Sequence, residues 1–334
     1  LIRKILDYKY GRDTLEPVQD LFKHETDQLI LLQESTHFSV VSSGFLGLED
    51  LIRPFTRSLE CFKSYTNIEN LPVVRWYHTN TFYRRPKLID RFPKASRVIL
   101  DAKHSLSGGS AYSHEAVKDK PSRLVIPGPI TLVSLVDVEI LGKKNSPYPE
   151  LNNLLEDSGR FLAQELSKLP SNYKEIQLDE PILVWKKISR RLRPSILQAY
   201  QHIKSSVGNK KTIVNTYFED AIPILSFLLK LPVDGIGLDL TATNPVHLAT
   251  ASFEGKILQA GIINAENYVP TPSGDLDQSQ TKFYINLAKL LLKLNPDELI
   301  LTSNTGLEYL PKSVADKCLH QLSNIVEGVH DNGY

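Results

Sequence analysis

The chain has 334 residues, 41% of them hydrophobic, and its 39 Lys and Arg nearly cancel its 38 Asp and Glu. That is enough apolar material for one large core, and the near-zero balance excludes the single-sign surfaces used against nucleic acid or a membrane. Two cysteines, Cys61 and Cys318, stand outside any C-x-x-C spacing. They give neither a disulfide framework nor a zinc knuckle, and the expected setting is a reducing cytoplasm.

Taken in chain order, helical periodicity comes first, over residues 1–8 and 14–34, where Leu15, Val18, Leu21 and Phe22 recur on one face. Short β-branched runs follow at 38–42, 123–127, 175–179, 212–216, 235–240, 257–263 and 298–302. Between them, helices are expected at 48–63, 149–169, 194–205, 220–230, 278–294 and 311–326, three of them opened by Pro149, Pro194 and Pro311. Strand alternating with helix predicts parallel strands and crossovers, an α/β fold. The chain opens on Leu1 and carries no Met. An eighth strand ahead of Leu1 would complete a TM-type (β/α)8 barrel, the TIM barrel, in a single domain over 1–334.

Two further β-like runs, 73–78 and 97–101, break the alternation. The expectation is a β-rich insertion over 71–122, after the second barrel strand, folded across the barrel mouth. Its aromatic and basic residues could serve nucleic acid, but the overall charge favours a ribbon without that role. The basic run 186–193 reads as the solvated flank of a helix. No apolar run approaches the length of a membrane span.

Polar residues gather where the apolar runs end: Pro127-Gly128-Pro129, Asp179-Glu180, Asn215-Thr216-Tyr217, Asp239, Asn264 and Thr302-Ser303-Asn304. In a barrel those ends share the face that carries active sites. Taken alone, Pro-Gly-Pro is a βα turn. Asp179 and Glu180 are neighbours on a strand and cannot both face one pocket, so Asp179 is taken as the binder and Glu180 as a cap or ion-pair partner. The nine histidines fall in no metal-ligand spacing, and there is no nucleophile elbow or phosphate loop.

These stretches also carry a resemblance. VVRWYHTNTFYRRP (73–86), LVIPGPITL (124–132), IQLDEP (176–181), VNTYFED (214–220), LPVDGIGLDL (231–240), LQAGIINAEN (258–267) and LTSNTGLEYLP (301–311) resemble, in order, the cobalamin-independent methionine synthase family. The resemblance implies methyl transfer from a methylfolate to the sulfur of homocysteine, which needs a zinc-bound thiolate. In the family's catalytic barrel, a His-x-Cys pair, a Glu and a Cys hold the zinc. The corresponding positions here are Asn215 and Tyr217, Asp239 and Thr305, so no metal is expected in this chain.

The likeness is to the zinc-free N-terminal barrel. It implies a substrate site drawn from Trp76, Asp179, Asn215, Tyr217, Asp239, Asn264, Ser303 and Thr305, for a methylfolate or related pterin. It also implies a homologous zinc-binding catalytic barrel as partner. Two rivals remain: a stand-alone metal-free enzyme using Asp179 or Asp239 as acid or base, and a structural partner that binds no ligand.

Overall fold

A computed structural model describes residues 2–44, 51–63, 86–101, 114–138, 146–266, 278–307 and 310–331. The chain divides into two compact units: residues 1–31, 40–174 and 188–210 form the first, and residues 32–39, 175–187 and 211–334 the second.

In the first unit, helix Ile2–Lys9 precedes helix Glu16–Ser35. Val18 and Phe22 are buried with Tyr8 and Leu15 against them, as the spacing predicts. The strand expected at 38–42 is reduced to one parallel bridge, Val41 to Ser122. The physical reason lies on either side of it: His37 (φ 60) and Gly44 (φ 69) both turn into the left-handed region, so the run is too short for a ladder. The helix expected at 48–63 shrinks to Arg53–Ser58, after which strand β1 (Phe62–Lys63) pairs antiparallel with β2 (Lys87–Leu88).

The run 97–101, read as β-like, is a helical turn, Val98–Asp101. Glu165, 1% exposed, accepts the Ile99 amide at 3.1 Å and the Ser96 hydroxyl at 2.6 Å. A buried carboxylate thus satisfies a free N–H at the start of the turn, and this tertiary contact overrides the β-branched propensity. Residues 71–85 of the expected insertion, Trp76 included, lie outside the described residues.

Strand β3 (Ser122–Pro127) leads directly into helix Pro129–Ser134, with Gly128 extended between them and Pro129 in the first turn. Pro127-Gly128-Pro129 is therefore a βα turn. Helices Leu151–Leu166 and Arg193–Ser206 pack on each other.

The second unit holds the end of strand β4 (Tyr173–Asp179) followed by β5 (Lys211–Asn215), β6 (Gly235–Asp239), β7 (Ile257–Ile263) and β8 (Glu298–Ser303). These strands pair in sequence order and all parallel. Every residue of β6 and β7 is buried, which is why these stretches read as unbroken apolar runs. Helix Pro181–Trp185 follows β4, and helices Gln278–Leu292 and Lys312–His330 flank β8. Where one helix was expected at 220–230, a 3-10 turn, Ile222–Ile224, runs into the short helix Leu225–Leu228. Pro223 lies inside that first turn and withholds an amide donor from it. The whole is a mixed α/β fold with a parallel half-barrel sheet.

Candidate functional site

One register row crosses the second unit's sheet near the C-terminal ends of its strands. Asp179 stands beside Asn215, Asn215 beside Gly237, and Gly237 beside Gln259. Residues in register on parallel strands share a face, and Gln177, two before Asp179, shares it too. Four polar side chains on one face of an otherwise apolar sheet need one another as partners, and they find them.

Asp179, 6% exposed, accepts hydrogen bonds from Gln177, Asn215 and Tyr217. Gln177 Nε2 donates to its Oδ1 at 2.8 Å, Asn215 Nδ2 to the same oxygen at 3.3 Å, and the Tyr217 hydroxyl to Oδ2 at 3.3 Å. Gln259 Nε2 closes the network by donating to Gln177 Oε1 and to Asn215 Oδ1, both at 3.1 Å. The last of these bonds spans from β7 to β5 over the top of β6. Only glycine permits that: a Cβ at Gly237 would lie 2.2 Å from Asn215 Oδ1 and 3.0 Å from its Cα.

A second cluster sits at the ends of β6 and β8. Asp239, 1% exposed, takes the backbone amides of Thr241 and Ala242 and the Thr241 hydroxyl on Oδ1. Its Oδ2 takes the Phe218 amide at 3.0 Å and Asn304 Nδ2 at 3.1 Å. Asn304, 2% exposed, passes the connection on, since its Oδ1 accepts the Ala265 amide at 2.8 Å. A carboxylate has about four lone-pair sites, so five donors commit Asp239 to holding loops. An acid–base role for it, one of the sequence-based alternatives, loses its footing there.

Glu266 lies just past Ala265 on the exposed side of this cluster. Its carboxyl is held above the usual range by partial desolvation first and by the Asp239 charge second, with the Asn304 side chain opposing both.

The structure thus unites three of the expected site residues, Asp179, Asn215 and Tyr217, and assigns Asp239 to the neighbouring cluster. Ser303 donates to the Thr305 carbonyl at 2.7 Å, and Asn264 Oδ1 accepts the Glu266 amide at 2.9 Å, so these residues shape their own turns. Sequence reasoning missed Gln177 and Gln259; Asn304 it named among the strand-end polar residues without carrying it into the expected site. The signal was an amide at an alternate position of an apolar strand, two residues from Asp179 in the case of Gln177.

Asn215, Tyr217, Asp239 and Thr305, which the resemblance sets against the family's zinc ligands, offer an amide, a phenol, a five-fold hydrogen-bonded carboxylate and a hydroxyl. That set does not fit zinc, which takes thiolate, imidazole and free carboxylate. Among the described residues no three His, Cys, Asp or Glu side chains stand together as a metal site.

Residues 31–279 match the family described as the cobalamin-independent synthase, N-terminal domain. The chain belongs to that family. Among its curated relatives, it is 30% identical over 284 residues to the 5-methyltetrahydropteroyltriglutamate–homocysteine methyltransferase of Streptococcus gordonii, an alignment covering 84% of this chain and 34% of that protein. Against the enzyme of the same name from Halalkalibacterium halodurans it is 29% identical over 269 residues, or 76% and 31% of the two. The chain therefore spans about a third of the length of the curated relatives it matches. Its fold is that of a solved B12-independent methionine synthase from Shewanella sp. W3-18-1, determined in complex with selenomethionine. The TM-score is 0.64 at 15% identity, over 93% of this chain and 88% of the other. Among the described residues no helix is long and apolar enough to cross a membrane.

Proposed function

We propose that this chain is the zinc-free, N-terminal-type half of a cobalamin-independent methionine synthase and acts in methionine biosynthesis in the cytoplasm. It holds a methylfolate or related pterin, while a separate homologous barrel supplies the zinc-bound homocysteine thiolate. In this reading the six strands β3 to β8, with the Val41 bridge beside β3, belong to a (β/α)8-type barrel.

The observation that carries the proposal is the Asp179 cluster. A buried carboxylate is held by two primary amides and a phenol at the C-terminal strand ends, the face where such folds bind ligands. Carboxylate, amide and phenol together can match the alternating donors and acceptors along the edge of a pterin, and an ionised acceptor strengthens bonds from ring N–H groups. The chain's residues bind and orient; the poor zinc fit of Asn215, Tyr217, Asp239 and Thr305 leaves activation of the thiol to the partner.

The test has three arms: isothermal titration of the purified chain with 5-methyltetrahydropteroyltriglutamate, a methyl-transfer assay on the chain alone, and the same assay with a zinc-bearing barrel from the same source. Binding, with methionine formed only when the partner is present, is the expected result. Methyl transfer by the chain alone with stoichiometric zinc, or no stimulation of any zinc barrel, would overturn the proposal.

A further inference from the structure

The Asp239 cluster touches none of the atoms of the Asp179 cluster through Asp239 itself, yet the chain links the two in a single step. Phe218, one residue after Tyr217, has φ 81, a left-handed backbone that a bulky side chain adopts only under constraint. The Phe218 amide is bonded to Asp239 Oδ2, and the Tyr217 and Phe218 rings meet edge to face at 4.6 Å. The Tyr217 hydroxyl, on the residue before, reaches Asp179 Oδ2.

From the other side, Asn304 shares Oδ2 with Phe218 and also binds the Thr241 hydroxyl at 3.2 Å. Asn304 can come this close only because β7 has glycine opposite it: a Cβ on Gly261 would stand 2.6 Å from Asn304 Cα. A second tie runs parallel to the first, from the Ala221 amide to the Thr243 hydroxyl at 3.0 Å. The loops after β5, β6, β7 and β8 are thereby fixed on one buried carboxylate–amide pair.

We infer that Asp239 and Asn304 are positioning residues for the Asp179 site, acting through the strained Phe218 backbone to set where the Tyr217 hydroxyl sits. Strain of this kind persists only where surrounding bonds over-determine it. The Asp239 carboxylate is such a bond. The inference rests on the proposed reading only in taking Asp179 as part of a ligand site; the placement of Tyr217 can be read without any ligand.

The experiment places 3-fluorotyrosine at position 217 of the full chain and follows its fluorine resonance in the unmodified background, in D239N and in the exchange variant D239N/N304D. The exchange re-forms an amide–carboxylate pair in reverse but still lacks the acceptor for the Phe218 amide. A single sharp resonance in the parent should shift or broaden in both variants, although the exchange variant recovers much of the melting temperature lost by D239N. A purely structural role would instead return resonance and stability together. If D239N does not fold by circular dichroism, N304S takes its place. It frees Oδ2 of one of its two donors, and a smaller displacement is expected.

A resonance unmoved in whichever of these variants folds overturns the inference. Titration with 5-methyltetrahydropteroyltriglutamate adds a separate readout, with affinity weakened by about tenfold or more in both D239N variants. If the parent chain does not bind that probe, the proposed function fails, and the fluorine signal still decides the positioning role.

Discussion

The two ends of the second unit's sheet handle charge in opposite ways. At the N-terminal ends, Lys211 forms an ion pair with Glu298 and lies 4.0 Å from Glu175, while Lys256 caps the carbonyls of Leu231 and Val233. Asp234 there is itself met by neutral donors, the amide and the hydroxyl of Thr212, so the contrast lies in the lysines. At the C-terminal ends, Asp179 and Asp239 are buried and met by amides, a phenol, a threonine hydroxyl and backbone N–H groups. Charges set against opposite charges and carbonyls fasten strands together. Carboxylates wrapped in neutral donors hold a fixed geometry, as a recognition surface requires. One end is built to stay closed and the other to present groups.

The sharpest way to break this contrast is to crowd the C-terminal end. Gly261→Ala drives a Cβ into the Asn304 backbone, and backbone cannot step aside as a flexible side chain can. A loss of about 3 kcal/mol is expected in urea unfolding, at the upper end of overpacking costs. Parent-like stability would show that the close approach is not needed.

At the other end, Lys256→Met should strip two carbonyls of their cap and cost about 1–3 kcal/mol. Titration with 5-methyltetrahydropteroyltriglutamate should be unchanged, because this residue belongs to the fastening end. A large affinity change would erase the division of labour between the two ends.

Asp179→Asn should reverse that pattern. It keeps the shape but removes the charge and gives one of its donors another donor to face. Stability should fall by about 1 kcal/mol, while affinity for the same probe falls about tenfold or more. Equal binding by parent and variant would remove Asp179 from the site.

How much of this was legible in the sequence depended on where the deciding contact lay. β6 and β7 could be read directly because burial on both faces leaves continuous apolar runs, and β7 occupies the expected 257–263. Asp179, Asn215 and Tyr217 stood out as polar residues closing such runs. Gln177 and Gln259 did not, since an amide inside a strand looks like a solvent-facing position until the neighbouring strand supplies its partner. The run 97–101 misled for a related reason: the group that makes it helical, Glu165, lies 66 residues from the amide it binds. The part played by Asp239 was hidden because it depends on four loops whose conformations the local sequence does not dictate.

The smallest expected effect concerns Glu266. A carboxyl whose pKa is raised on folding is relatively favoured when protonated, so the folded state gains below the ordinary glutamate range and loses that gain as the pH rises through the elevated value. At neutral pH the ionised Glu266 therefore opposes folding beside Asp239. Glu266→Gln should raise the neutral-pH unfolding free energy slightly, by about a few tenths of a kcal/mol once solvent screening is allowed for, and the melting temperature with it. The advantage should vanish in acid and shrink in high salt. An advantage that grows in acid would have the wrong sign.

The Asp239–Asn304 pair has a consequence for how this chain can vary. Each loop it holds is tied close to its strand, at Phe218, Thr241, Ala265 and Asn304 itself. Past those roots one further tie joins the loops after β5 and β6, from the Ala221 amide to the Thr243 hydroxyl. Loops of other lengths, or loops transplanted from a relative, can be installed downstream of the ties while the floor of the site stays as it is. The pair thus works as a socket, with the loops as its interchangeable fittings.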